Sequence, residues 1–87
     1  MTECEWLRDW CGDTWDELPV ASGVPTYEKA FAWGFAWVSK HEGLALVSLW
    51  LGQATAMDPD PEVQRVMKVS SYPNADAAVE RLSEGFQ

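Results

Sequence analysis

The sequence predicts an all-α domain, a compact bundle of four to five short helices around an aromatic-rich core. Three observations predict it. Apolar residues of the N-terminal segment recur at helical spacing. Leu and Ala outnumber β-branched residues through 44–57. Helix start and stop signals bracket most of the apolar stretches. At 87 residues there is room for one domain, 1–87, and one core. A chain of this length buries roughly 60–65% of the surface its unfolded form exposes, so the core must be dense. The composition supplies density: 47% hydrophobic, with six Trp, three Phe and two Tyr. Each buried aromatic removes about 150–250 Å² from water, so folding requires neither a metal nor a disulfide.

The first element, "MTECEWLRDWCGDTWDELP", opens with the capping-box spacing Thr2-x-x-Glu5. On a helical wheel Cys4, Trp6, Leu7, Trp10, Cys11, Trp15 and Leu18 share one half. Glu5, Arg8, Asp9, Asp13 and Asp16 hold most of the other, with Glu3 and Glu17 intruding on the apolar side. Gly12 weakens the middle, Asp13 can recap a second turn, and Pro19 ends the helix. Residues 19–25 are a connector of small residues and prolines.

Next comes "YEKAFAWGFAWVSKHEG", with Phe31, Trp33, Phe35 and Trp37 at every second position. Such alternation is a strand signal. On a helix, however, Tyr27, Phe31, Phe35 and Val38 form one stripe and Trp33 and Trp37 a second, with Ala30 and Gly34 between. The intervening Ala and Gly are poor strand formers, and Lys40, His41 and Gly43 suit a helix C-terminus. The segment is therefore expected to be a core helix rather than an aromatic ligand cage. In "LALVSLWLGQATAM", Val47, Trp50, Leu51, Ala54 and Met57 share a helical face. Asp60-Pro61-Glu62 reads as a helix start, although Val63, Val66 and Val69 suit a strand. The last element, "NADAAVERLSEGF", has Asn74 as cap, Val79 and Leu82 facing inward, and Gly85 and Phe86 placed for a Schellman end. The alternative architecture is α+β: a small antiparallel sheet from 30–38, 44–52 and 62–70, flanked by terminal helices.

The residues that could carry chemistry are few. His41 is the single histidine, and residue 45, where a zinc-protease helix needs a second His, is Ala. Cys4 and Cys11 are seven residues apart, about 10 Å along a helix, too far to bridge and unlike a structural zinc pair. They read as small buried apolar residues in a reducing compartment. Asp58, Asp60 and Glu62 alternate as in a calcium loop, but Val63 and Val69 stand where its glycine and bidentate Glu belong. No phosphate-binding loop or nucleophile motif is present. The expectation is a protein that is not an enzyme and holds no cofactor and no metal. No signal peptide and no apolar run of membrane-spanning length are visible, so the cytoplasm is the expected location.

Net charge is −8. That disfavours direct nucleic-acid or membrane binding and favours a larger protein with a basic surface. The candidate partner-binding residues are Trp6, Asp9, Trp10, Asp13, Trp15, Asp16 and Glu17, because indoles rimmed by acids suit recognition of a basic partner. In size and charge the chain resembles small acidic proteins of phages and mobile elements, anti-CRISPR inhibitors and immunity proteins among them. That resemblance carries no motif. It implies a stoichiometric inhibitor that masks a partner's basic surface; the alternative is a self-associating structural or assembly protein, with a homodimer possible.

Overall fold

The computed structural model describes residues 4–18, 26–52 and 61–86. Five strands form one antiparallel sheet in sequential order: β1 (Asp16–Leu18), β2 (Thr26–Phe31), β3 (Gly34–His41), β4 (Leu44–Leu51) and β5 (Val63–Met67). Two short helices, α1 (Cys4–Cys11) and α2 (Ala75–Ser83), complete it, with 3₁₀ turns at Val69–Ser71 and Glu84–Phe86. The all-α bundle is therefore overturned. The α+β alternative, a sheet from 30–38, 44–52 and 62–70 with helices at the ends, fits better, but it lacks β1 and β2, runs one strand through the turn between Phe31 and Gly34, and carries the last strand into the 3₁₀ turn at Val69–Ser71. Thr2, the 19–25 connector, Asp58 and Asp60 lie outside the described residues.

The central segments form strands because of how their two faces are used. Register pairs Tyr27 with Val38, Val38 with Val47, Ala36 with Leu49 and Ala45 with Met67. These residues share one face, where Ala36, Val38, Ala45, Val47 and Leu49 are fully buried beneath the helices. The Ala residues argued for helix from propensity alone. In the fold they are small because helices lie over them, and packing overrides the intrinsic preference. The "His41-Glu42-Gly43" signal is likewise a hairpin. Glu42 and Gly43 form the two-residue turn between paired His41 and Leu44, both with positive φ (50° and 81°), as a type I′ turn requires. A left-handed glycine serves a helix end and a tight hairpin equally.

The N-terminal helix stops at Cys11, not at Pro19. Gly12 takes φ +75° and donates its N–H to the Arg8 carbonyl at 2.8 Å, a left-handed helix end. The chain then turns, so Trp15 lies beyond the helix and Asp16 and Glu17 belong to β1. At the other terminus Asn74 caps α2 as expected, its side chain accepting from the Ala77 N–H at 2.8 Å. Gly85 does not take a left-handed φ, and α2 runs into the final 3₁₀ turn without a Schellman end.

Both helices lie on the same face of the sheet. Leu7, Trp10 and Cys11 of α1 and Ala75, Ala78 and Val79 of α2 close the core with Trp15. Two indoles tie the ends of the chain together. Trp10 Nε1 donates to the Tyr72 carbonyl at 3.0 Å, and Trp15 Nε1 to Asp76 Oδ1 at 2.6 Å. Lys29 on β2 reaches Asp76 Oδ2 at 2.5 Å and lies 5.3 Å from the Phe31 ring centre.

Gly34 opens β3 where the β2–β3 hairpin meets β4. A Cβ there would lie 2.0 Å from the Trp50 carbonyl oxygen and 2.9 Å from the Gly52 nitrogen. Backbone on both sides must move to admit it. Gly34→Ala is expected to lower stability by about 2–4 kcal/mol in urea unfolding. Gly43→Ala meets no atom within 4 Å and carries only the left-handed penalty of about 1–2 kcal/mol. Equal losses in the two variants would refute the close-approach argument.

Candidate interaction surface

The face of the sheet opposite the helices is built from the other half of each strand. Register places Asp16 beside Glu28, Phe35 beside Trp50, Trp37 beside Ser48, Ser39 beside Leu46, His41 beside Leu44, and Gln64 and Val66 beside Ser48 and Leu46. The alternation of residues 31–37 thus sends Phe35 and Trp37 to this face, away from the buried Ala36 and Val38. They are not two stripes of a core helix.

At its centre the Phe35 and Trp50 rings stack at 5.1 Å and 8°, and Trp37 meets Trp50 edge-on at 5.4 Å and 62°. These are preferred aromatic geometries, worth about 0.5–1.5 kcal/mol per pair beyond area burial. Because the rings pack on one another, they make a plateau and not an open cage. Phe35, Trp37, Leu44 and Leu46 are half-buried and Val66 is 45% exposed, whereas Trp50 is buried. No helix covers this face among the described residues.

Polar side chains lie among these apolar ones, and two contacts engage them. Trp37 Nε1 donates to Glu28 Oε2 at 2.6 Å, and Gln64 Nε2 to Ser48 Oγ at 3.2 Å. Trp50 Nε1 is buried with no acceptor, a cost of about 1–3 kcal/mol for an unmade bond. Asp16, Glu28 and His41 are the titratable side chains on this face among the residues paired in the strands. Asp16 and Glu28 sit together on β1 and β2; strands β3, β4 and β5 contain no acidic residue, and Glu28 reaches Trp37 from the margin.

The seven residues expected to bind a partner are divided by the fold. Trp10 and Trp15 are core residues, 6% and 5% exposed with their N–H groups bonded inside the protein, and present no ring face to a partner. Trp6 is half-buried against that core. Asp9 and Asp13 are exposed on and after α1, and Asp16 and Glu17 are exposed on β1 with their side chains on opposite faces. The expected single acidic face with indoles at its centre is not assembled. The half-buried aromatics of the open face belong instead to β3, Phe35 and Trp37, and their period-two spacing is the sequence signal for them.

No three His, Cys, Asp or Glu side chains among the described residues could hold a metal ion. No described helix is long and apolar enough to cross a membrane. Burial pushes the Cys11 thiol up to about 12, with the Asp76 carboxylate adding to the shift. A thiol held protonated is a poor nucleophile. In a Cys4→Ser background, Cys11 is expected to resist a disulfide reagent at pH 8 until the chain unfolds. Its folded value lies above the ordinary 9.0, so its share of stability is complete below pH 9 and is lost as pH rises from 9 to 12. Urea unfolding across that range should show the decline, and a Cys11→Ala variant should lack that part of it; rapid labelling of the folded chain would contradict the argument.

No family model, no curated protein and no solved structure matches this chain; its functional reading rests on the surfaces of the fold itself.

Proposed function

We propose that the protein is a self-associating structural or assembly module of the cytoplasm, non-catalytic, whose copies meet through the open face of the sheet. The observation that carries this reading is the distribution of charge. A chain with 14 acidic residues and net charge −8 presents a plateau of Phe35, Trp37, Leu44, Leu46 and Val66 on strands that contain no acidic residue, with Glu28 of β2 at its margin and bound to the Trp37 N–H. Two copies with the same negative field can approach only where the field is weakest, and there the plateau offers aromatic and aliphatic area. The carboxylate that reaches those rings, Glu28, already accepts from the Trp37 N–H, which leaves the rest of the plateau for apolar contact.

Size sets the expected strength. Strands of eight residues at about 3.4 Å per residue, in a sheet with about 4.8 Å between strands, give a plateau of roughly 500 Å² per copy. Two such faces stacked about 10 Å apart bury roughly 1,000 Å², at the low end of specific interfaces. An interface of that size suits a weak, reversible association.

Salt separates this reading from masking of a basic partner. Raising salt from about 0.1 M to about 1 M shortens the screening length from about 10 to about 3 Å. Self-association of like-charged copies should strengthen, whereas a complex with a basic protein would weaken. Sedimentation over a range of concentrations is expected to show a monomer–dimer equilibrium that shifts towards dimer with salt. Leu46→Glu, placing a carboxylate on the plateau, should shift it to monomer with the circular dichroism of the fold retained. A strict monomer in high salt, or dimerisation indifferent to Leu46→Glu, would refute the proposal.

A further inference from the structure

The two edges of the sheet are not alike. β1 is three residues long and exposes Asp16 and Glu17; a short, charged edge resists further pairing. β5 is five residues long, and Gln64, Arg65 and Val66 are exposed along it. No strand among the described residues pairs with its outer side.

The cover on the helix-bearing face also ends at this edge. α2 packs mainly on β4, leaving a cleft of about 430 Å³ between β5 and the C-terminal half of α2. Its lining is Val63 and Arg65 from β5, Tyr72, and Arg81, Leu82 and Gly85 from the α2 end. Two of the six Lys and Arg residues of a strongly acidic chain therefore line one cleft, and none of the described acidic residues does. Arg81 is held at the rim by a pair with Glu84 three residues on. The Arg65 side chain has no partner among the described residues.

We propose that this edge and cleft take an extended segment of another protein, added as a sixth strand along β5 and carrying a carboxylate flanked by apolar side chains. An added strand uses the unpaired main-chain groups of β5 for affinity, and its alternate side chains fall on the cleft side for specificity. Val63, Tyr72 and Leu82 provide apolar contacts for two of them. Arg65, with Arg81 beside it, provides charge-assisted hydrogen bonds to the carboxylate between them. Elsewhere the net charge of −8 repels an acidic peptide; here Arg65 offers an unpaired positive charge, and Arg81 one that it shares with Glu84. The cleft lies on the helix-bearing side of the sheet, so this proposal stands whether or not the open face self-associates.

The test is a titration of the isotope-labelled full chain, followed by amide NMR. The probe is an acetylated hexapeptide alternating Thr with Leu, Glu and Leu. A second peptide replaces Glu by Gln, and a third places Pro at the central Thr. Saturable shifts are expected at 63–67 and 81–85, with affinity about tenfold weaker for the Gln peptide and for Arg65→Gln. The Pro peptide, unable to continue the ladder, should not bind. Absence of saturable shifts up to millimolar peptide would overturn the proposal, as would equal binding of the Gln or Pro peptides. Shifts centred on Phe35 and Trp37 would move the site to the open face. Concentration-dependent shifts at β5 without peptide would give the edge to a second copy of this chain, and would equally overturn it.

Discussion

At Asp76 the beginning, middle and end of the chain meet on one carboxylate. Trp15 donates to one oxygen and Lys29 of β2 to the other, and the residue itself stands in the first turn of α2, where a negative charge also complements the helix dipole. The ion pair is partly exposed, with side chains 21% and 39% accessible, so its own contribution is modest, about 1 kcal/mol or less. Its importance is directional. Together with the Trp10 bond to Tyr72 it brings the segments before and after the strands to the same side of the sheet. That choice makes Ala36 and Ala45 the right size for one face, and leaves Phe35, Trp37 and Trp50 to pack on the other without helical cover.

The ends of this protein were more legible in the sequence than its middle, for a physical reason. Asn74 and the residues after it specify α2 locally, through a cap whose partner is three residues away. Gly12 marks the true end of α1, and it was visible as a weak point. The strands depend on partners distant in sequence, and both their faces are apolar, so the alternation of large and small residues fits two stripes of a helix as well as two faces of a sheet. Glu42-Gly43 was ambiguous because a positive φ at glycine ends helices and turns hairpins alike. The functional surface suffered the same way. Trp10 and Trp15 stand beside acids in the sequence but in the core of the fold, and the aromatics that do reach solvent come from the segment that looked most like interior.

The acidic charge is not spread evenly over this architecture. Asp9 and Asp13 surround α1, and Asp16, Glu17 and Glu28 guard the β1 side of the sheet. The β5 side carries Arg65, and Arg81 faces it across the cleft. The sheet therefore has an acidic margin, a neutral aromatic middle and a margin where two arginines stand. Solubility is served by the first, while the other two are where another chain can lie without meeting a dense negative field.

The meander sets the order of events in folding. Every strand pairs with its neighbour in sequence; β2–β3 and β3–β4 close over two-residue loops and the other two pairs over seven and eleven residues, each at small entropic cost beside the joining of the chain's ends. The indole bonds that fasten the helices join residues 62 and 61 positions apart, and docking the helices is the expensive, late step. Until it occurs the sheet has two bare apolar faces rather than one. A chain of this kind is most exposed to misassembly at the moment when its strands are made and its ends are still undocked, and the aspartate that receives Trp15 and Lys29 marks the end of that interval.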